Sequence, residues 1–418
     1  MGAGHTHVEL DGPAPRASER ASIVLGSCVA AVLFLTIVGA MVVWPSSWDM
    51  LGSEPTVDPS SRWVTAEVTS ERADGTYGAV IQGEEDAGEV TLLETGDPTL
   101  VVEVGDVVRA LELPEGELVF SDFERGSPVL LLFVVYALLV VAIARWRGLG
   151  ALLGLVAAFG IIIFFTTPAL LSGGDPLIIG LVTGSGALFV LLYLAHGVNA
   201  RTTTAYLGTL AGLSITALLA WWAVDASKLT GIWSEEGVHL EFWTRGVSLS
   251  GLVLCGIILA GLGVLNDVTI TQASALWELR RARPDMSRLE LFRRTMRIGR
   301  DHIASTVYTI AFAYVGAALP TILFVSLYDQ SVGRTLTSAD IAEEVVRTLV
   351  SSIGLVLAVP LTTAIGAAVV GKDAVVEPMV EKADEDADGS ESVDLDGAPD
   401  AEEGDARRHG GTSGTMET

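Results

Sequence analysis

Eight times along this chain the sequence runs for about twenty residues with scarcely a charge, the length a helix needs to cross a bilayer. The stretches are Ile23 to Trp44, Pro128 to Ala144, Leu149 to Leu171, Leu177 to Ala195, Ala205 to Val224, Val247 to Leu265, Ile303 to Leu327 and Val346 to Val370. Inside lipid every backbone N–H and C=O must find its partner within the protein, which confines spanning segments to helices or closed barrels. Apolar runs of this length read as helices, so the expected fold class is an α-helical polytopic membrane protein with about eight transmembrane helices. Ile23 to Trp44 follows Arg16 and Arg20 and lacks a clear small-residue cleavage site, so it reads as an uncleaved anchor rather than a signal peptide.

Orientation follows from lysine and arginine in the short connections. Arg16, Arg20, Arg145, Arg147, Arg201 and the eight arginines from Arg280 to Arg300 fall on one side of an eight-span layout. The opposite connections hold Lys228, Arg245, Arg334 and Arg347. This bias predicts both termini in the cytoplasm. Trp44, Trp146, Trp221, Trp222 and Trp233 stand near span ends, as interfacial anchors do.

The net charge of −26 is concentrated in two places. Ser46 to Ser127 carries 19 acidic against 4 basic residues, and Gly371 to Thr418 carries 15 against 4, which together account for all of it. The excess acid therefore belongs to one polar domain and one tail, and it argues against nucleic-acid binding. The implied organisation is a disordered N-terminus (1–22), a first helix (23–44), an extracytoplasmic β domain (45–127), a seven-helix membrane domain (128–370) and an acidic disordered tail (371–418). Within 45–127, WVTAEV, YGAVIQ, EVTLLE and TLVVEV alternate with turn signals such as Asp74-Gly75 and Gly96-Asp97-Pro98. With Val107 to Leu113 and Leu118 to Phe120 added, five or six strands predict a small barrel, OB-like in kind. Cys28 and Cys255 lie in apolar runs and build no disulfide framework.

The Arg-rich cytoplasmic loop, 280–300, contains a capping box, Ser287 followed by Glu290, which predicts a helix start. Leu289, Phe292 and Met296 recur at helical spacing, with Arg288, Arg293, Arg294, Arg297 and Arg300 between them. That pattern predicts a helix lying on an anionic inner leaflet before turning into the seventh span, with these arginines as lipid-surface contacts.

Chemistry is expected where the apolar pattern breaks. One stretch, His196 to Leu210, carries His196, Asn199, Thr202, Thr203 and Thr204; another, Leu265 to Leu279, carries Asn266, Asp267, Thr269 and Thr271. Asp267 reads either as a cation or proton site at a broken-helix boundary or as a helix cap. His302 and His196 are candidates to complete a polar cluster with it on the cytoplasmic side. No metal-ligand spacing, no GxSG, HExxH or paired-aspartate signature and no phosphate-binding loop occurs, so the reading leans away from an enzyme and assigns no cofactor and no metal.

The same two stretches, GVNARTTTAYLGT and the G-x-x-ND-x-T-x-x-QASALWEL region, resemble the hallmark segments of the YibE/F family of bacterial membrane proteins, and FSDFERG (Phe120 to Gly126) before the second span is similar too. The resemblance covers roughly Ser22 to Val370 and implies a multi-span inner-membrane protein with an external β domain near its N-terminus. It implies no particular activity. The residues themselves suggest a transporter or permease for a small solute or ion; the alternative is a membrane-anchored binding, regulatory or assembly protein acting through the β domain. The expected partner is the lipid bilayer, with anionic lipid at the Arg-rich loop.

Overall fold

A computed structural model of the chain describes residues 17–48, 51–52, 57–72, 76–83, 90–93, 101–114, 116–232, 237, 239–240, 247–329 and 331–371. The acidic tail, the first sixteen residues, Trp233, Arg245 and the expected turns at Asp74-Gly75 and Gly96-Asp97-Pro98 lie outside them.

Helix α1 (Glu19–Val42) starts where the Ser18 hydroxyl accepts the Ala21 N–H. The chain then builds a closed barrel from β1 (Arg62–Glu71), β2 (Tyr77–Ile81), β3 (Val90–Leu93), β4 (Val107–Glu112) and β5 (Leu118–Phe123), in the order β1-β2-β3-β5-β4. All pairings are antiparallel except β3 with β5. Alternate residues point inward: Val64, Ala66 and Val68 of β1, Tyr77, Ala79 and Ile81 of β2, and Val108 and Ala110 of β4 share one core with Leu118 and Phe120. The strand expected at Thr99 to Val104 does not form over the described residues 101–104. Val102 still fills the core at 5% exposure, so the apolar run serves packing rather than pairing.

The FSDFERG segment makes the passage from barrel to helix. Glu124 accepts from the Gly126 N–H at 2.8 Å and pairs with Arg109 at 3.0 Å. The Gly126 bond first, then Arg109, holds the Glu124 carboxyl below its ordinary value. One carboxylate thus ties β4 to the first turn of α2 (Gly126–Ile161).

Six helices are long and apolar enough to cross a membrane, seven when one bent pair counts as a span. One of the six, Gly126–Leu171, is 46 residues long, about 69 Å as a straight helix and twice a bilayer core. It is not straight. Arg145 has φ 55 and ψ −134, outside helical geometry. A Cβ on Gly148 would lie 2.5 Å from the Val140 carbonyl oxygen, whereas residues eight apart in a straight helix are about 12 Å apart. The chain therefore doubles back at Arg145 and crosses twice, the second time through a π-helical turn (Ile162–Thr166) and α3 (Thr167–Leu171). Counted as two, this kinked segment would bring the six to seven candidate spans to the eight expected from the sequence. An independent contact requires the same parity: Ala17, before α1, forms an antiparallel bridge with Val370, after the last helix. The two ends of the membrane region thus meet on one side.

The remaining passes are α4 (Pro176–His196), α5 (Ala200–Ala226), α6 (Leu249–Ala282), the bent pair α7 (Arg288–Ala317) and α8 (Leu319–Ser326), and α10 (Ala339–Val369), with a short α9 (Val332–Leu336) before it. Asp175, Asn199, Ser248 and Ser287 each cap the helix that follows with a side-chain oxygen. Gly197, at φ 73, turns α4 into α5, a conformation that costs other residues strain. α7 and α8 meet at 64°, with Pro320 in the first turn of α8.

The bundle centre is α5 packed between α6 and α10. Lipid tails are as apolar as leucine, so helices associate in a membrane through close packing and hydrogen bonds, which favours small residues at crossings. Gly208 and Gly212 on α5 face Thr362 and Ala358 on α10, and Gly354 on α10 faces Thr216 on α5. A Cβ at Gly208 would overlap the Thr362 hydroxyl and lie 3.1 Å from its Cα.

Two outcomes follow. Single cysteines at Ser18 and Gly371, in a chain lacking Cys28 and Cys255, react with a membrane-impermeant maleimide from the same side; labelling from opposite sides contradicts an even number of passes. Gly208→Ala lowers stability by about 1–3 kcal/mol through overpacking. Gly256→Ala, where a Cβ meets nothing within 4 Å, does not. Thermal unfolding in detergent compares them, and equal melting temperatures refute the close crossing.

Candidate functional site

The polar residues singled out by sequence divide into two groups. The first builds the α4–α5 turn. Asn199 accepts the Thr202 N–H at 2.9 Å and donates to the His196 carbonyl at 3.0 Å, so it is a structural cap. Thr203 meets the Tyr193 phenol at 3.0 Å, and Thr202 is buried beneath the turn. Thr204 is fully buried, and its hydroxyl has no hydrogen-bond partner among the described residues. His196 lies half-buried at the end of α4, in the same region as Arg201 and Arg147.

The second group lies on α6 and meets α7. The structure corrects the idea of a broken helix or a cap at Asp267: α6 runs without interruption from Leu249 to Ala282, so Asp267 sits in its interior. The two Thr-rich stretches accordingly have different structures, one a turn and the other mid-helix. Val268, Thr269, Gln272 and Ala273 are buried in the bundle, while Asp267 and Thr271 face outward. The Asp267 Oδ2 lies 4.0 Å from His302 Nε2 on α7. That distance is too long for a direct hydrogen bond and suits an electrostatic or water-mediated contact. The Thr271 hydroxyl is tied to the Asp267 carbonyl at 2.7 Å. Asn266 has a buried Oδ1 with no hydrogen-bond partner among the described residues. His302 therefore lies near Asp267, whereas His196 stays with the α4–α5 turn.

Depth follows from helix contacts. Gly184 of α4 packs against Leu262 of α6, which runs in the same direction. Asp267, five residues beyond Leu262, is thus level with about residue 189 of α4, roughly 10 Å short of that helix's end at His196.

Inside the bundle the hydroxyls pair across helices. Thr209 of α5 and Thr269 of α6 are 2.6 Å apart. Gln272 donates to Thr363 of α10 at 2.8 Å and to the Thr295 carbonyl of α7 at 3.1 Å. A separate chain of contacts, Thr36 to Ser185 at 2.8 Å and Ser185 to Tyr206 at 3.0 Å, joins α1, α4 and α5. Gln272 belongs to the polar stretch that the sequence marks as too polar for lipid, whereas Thr36, Ser185, Tyr206 and Thr363 were not singled out by sequence. Isolated polar residues in apolar helices carry no spacing signal until the helices are assembled.

The Arg-rich segment differs from its sequence reading. α7 begins at Arg288 as its capping box predicts and runs unbroken to Ala317, with no turn between its Arg-rich part and the rest of the helix. Its buried face, Leu291, Thr295 and Gly299, packs on the protein, with Gly299 against Gln272 and Val359. Of the expected stripe, Phe292 and Met296 are partly covered by the bundle, whereas Leu289 is 58% exposed. Arg288, Arg293, Arg294, Arg297 and Arg300 are exposed on the other face, Arg294 paired with Glu290 at 2.9 Å. Arg280 is unlike them: fully buried, it donates to the Pro284 and Met286 carbonyls and clamps the α6–α7 turn.

Sequence reasoning also passed over Glu343 and Glu344, and counted Arg347 only among the charges of the short connections, because the eighth apolar run was taken to begin at Val346. In the structure α10 begins at Ala339, and Arg347 reaches both carboxylates. A double-mutant cycle on Thr209→Val and Thr269→Val should give a coupling energy of about 0.6 kcal/mol, as buried interhelical hydroxyl pairs in membranes do. Additive effects on unfolding would show that the two hydroxyls are neighbours without being bonded.

Neither the curated proteins nor the solved structures compared with the chain include a match. A family model described as YibE/F-like protein matches residues 132–372, from the first pass after the barrel to the end of α10, and with more than half its length covered this multi-pass membrane chain belongs to that family.

Proposed function

We propose that this protein is permease-like and moves a small solute or ion across a bacterial inner membrane, with both termini cytoplasmic and the barrel outside. The observation that carries the reading is the Asp267–His302 pair, a carboxylate and an imidazole 4.0 Å apart on neighbouring spans. Ionisable groups within spans are costly in lipid, and where they persist they mark ion or substrate pathways. Asn266, with its buried unpartnered oxygen, and Thr269 and Thr271, one turn further along, supply polar groups on the same helix. In this reading His196, Asn199 and Thr202 to Thr204 hold the turn on the same side, and Asn199 acts through the helix cap rather than on a solute.

The sidedness is supported by the arginines. Arg147, Arg201 and Arg281 lie near one another at the end of the bundle where α4 and α6 finish, and such clusters favour the cytoplasmic side. The exposed face of Arg288, Arg293, Arg297 and Arg300 supports contact with anionic headgroups. A second reading, a binding or assembly role for the barrel, draws support from the barrel's own core, which is separate from that of the helices.

Flux of protons, monovalent cations and small solutes in proteoliposomes of the full chain tests the proposal. Asp267→Asn should reduce flux by roughly tenfold or more with the melting temperature unchanged, and His302→Gln should reduce it less. Equal flux through Asp267→Asn and the wild type would remove the pair from any pathway. If the wild type shows no flux, and deletion of residues 62–125 abolishes capture of a protein partner, the second reading replaces the first.

A further inference from the structure

The turn between α6 and α7 holds a guanidinium whose best binding edge is idle, and the Asp267 pair makes no use of it. Arg280, in the last turn of α6, is fully buried. Its Nη1 donates to the Pro284 carbonyl at 3.0 Å and to the Met286 carbonyl at 2.8 Å. These bonds direct the side chain into the turn, just ahead of the Ser287 cap of α7. Nε and Nη2 are buried and have no hydrogen-bond partner among the described residues. They form the side of the fork that grips two oxygens of a carboxylate or phosphate at once.

The charge is unanswered too. Nearby carboxylates are taken by other arginines: Glu278 by Arg281 at 3.5 Å, Asp285 by Arg283 at 3.3 Å and Glu290 by Arg294 at 2.9 Å. Among the described residues Arg280 and Arg288 share in none of these pairs. Arg288 and Asp285 are the charged groups that act on Arg280, so the second unpaired cation stands near the first.

Arg288 is also the first residue of α7, whose Ser287 cap serves the Glu290 N–H. The N–H groups of Arg288 and Leu289 are left outside the helical ladder. A helix start and two guanidiniums thus meet at one turn, and all three favour an anion. Water would satisfy the idle N–H groups of Arg280 but not its buried charge. A carboxylate ligand has oxygens for the fork alone, whereas a phosphate has enough for the fork and for Arg288 or the helix start together. Arg283, Asp285, Ser287 and Arg288 are exposed, so the buried guanidinium lies beneath a surface turn.

We propose that the α6–α7 turn is a binding site for one phosphate group, gripped by the Nε and Nη2 edge of Arg280 and by Arg288, and entered when the exposed side chains of the turn move aside. The site sharpens the headgroup contact assigned to the arginine face, and it rests on that reading only for the source of the phosphate, a phospholipid headgroup or a soluble ligand.

The full chain, delipidated in dodecyl maltoside, is titrated at constant ionic strength with inorganic phosphate and with dihexanoyl phosphatidylglycerol, and binding is followed by calorimetry. One saturable equivalent is expected. Tighter binding of the lipid makes a headgroup the source, and tighter binding of inorganic phosphate makes it a soluble ligand. Arg280→Lys keeps a cation beside the two carbonyls but removes the fork, and should weaken binding about tenfold with the melting temperature unchanged. Arg288→Gln should weaken it several-fold, and Arg293→Gln, further along the exposed face, should leave it as it is. Absence of a saturable equivalent of either probe overturns the proposal. So does equal weakening by Arg293→Gln and Arg280→Lys, which reduces the attraction to diffuse charge. If Arg280→Lys fails to fold, unchanged binding in Arg288→Gln overturns the proposal alone. Enrichment of phosphatidylglycerol over phosphatidylcholine around the chain, measured by native mass spectrometry, reads the headgroup contact separately. Equal enrichment in wild type and Arg280→Lys, with phosphate binding unchanged, keeps that contact and removes this site; phosphate binding that depends on Arg280 without enrichment does the reverse.

Discussion

The close crossing of α5 with α10 sets the geometry of everything around it. In lipid the attraction between apolar helices is weak, because leaving lipid for protein changes little for a leucine. What remains is contact distance, and Gly208, Gly212 and Gly354 allow the two backbones to approach until threonines lie against glycines. At that separation α6 fits on the remaining side of α5, and Thr209 reaches Thr269. The rotation of α6 is then fixed: with Thr269, Gln272 and Leu276 directed inward, Asp267 and Thr271 must face α7 or the exterior. The position of the acid is thus a consequence of glycines on the two helices packed against α6.

The barrel obeys a different constraint. Its core of alternating valine, alanine and leucine is held by water's exclusion of apolar surface, and its exterior carries the acid that keeps such a unit soluble. One chain thus folds under two solvents, and Glu124 bridges the boundary by pairing with β4 and capping α2. That role explains why FSDFERG, which contains no catalytic group, stands out between two segments so unlike each other.

Much of this was legible in the sequence, and the failures share a cause. Hydropathy locates apolar spans, so the six to seven candidate spans were legible, and it divides the 46-residue helical segment near where Arg145 turns it. Hydropathy does not locate helix ends. α6 continues for seventeen residues past Leu265, where its apolar run stops, and a mid-helix Asp267 was therefore weighed as a cap. α10 begins seven residues before Val346, which left Glu343 and Glu344 outside a run whose first turns they form. The stripe of Leu289, Phe292 and Met296 correctly announced an amphipathic helix, but periodicity is silent on whether protein or lipid covers the apolar face. Pairings such as Thr209 with Thr269, sixty residues apart, exist only once the bundle is assembled.

The bent span touches two different surroundings. His302 and Tyr314 both lie on α7, twelve residues and about 18 Å apart, one beside Asp267 and the other lining an apolar cleft against α9 and α10. Between them Ile310 is buried at 3% exposure in the central core. α7 is held unevenly along its length. Its outer end is already uncoupled from α8 by a 64° bend, and Pro320 lacks the N–H that would continue the helical ladder. Its inner half, by contrast, is pinned by the Gly299–Gln272 contact and the buried Arg280 clamp. The stretch from Ile310 to Ala318 thus joins a part of α7 packed on α6 and α10 to the bend that leads into α8.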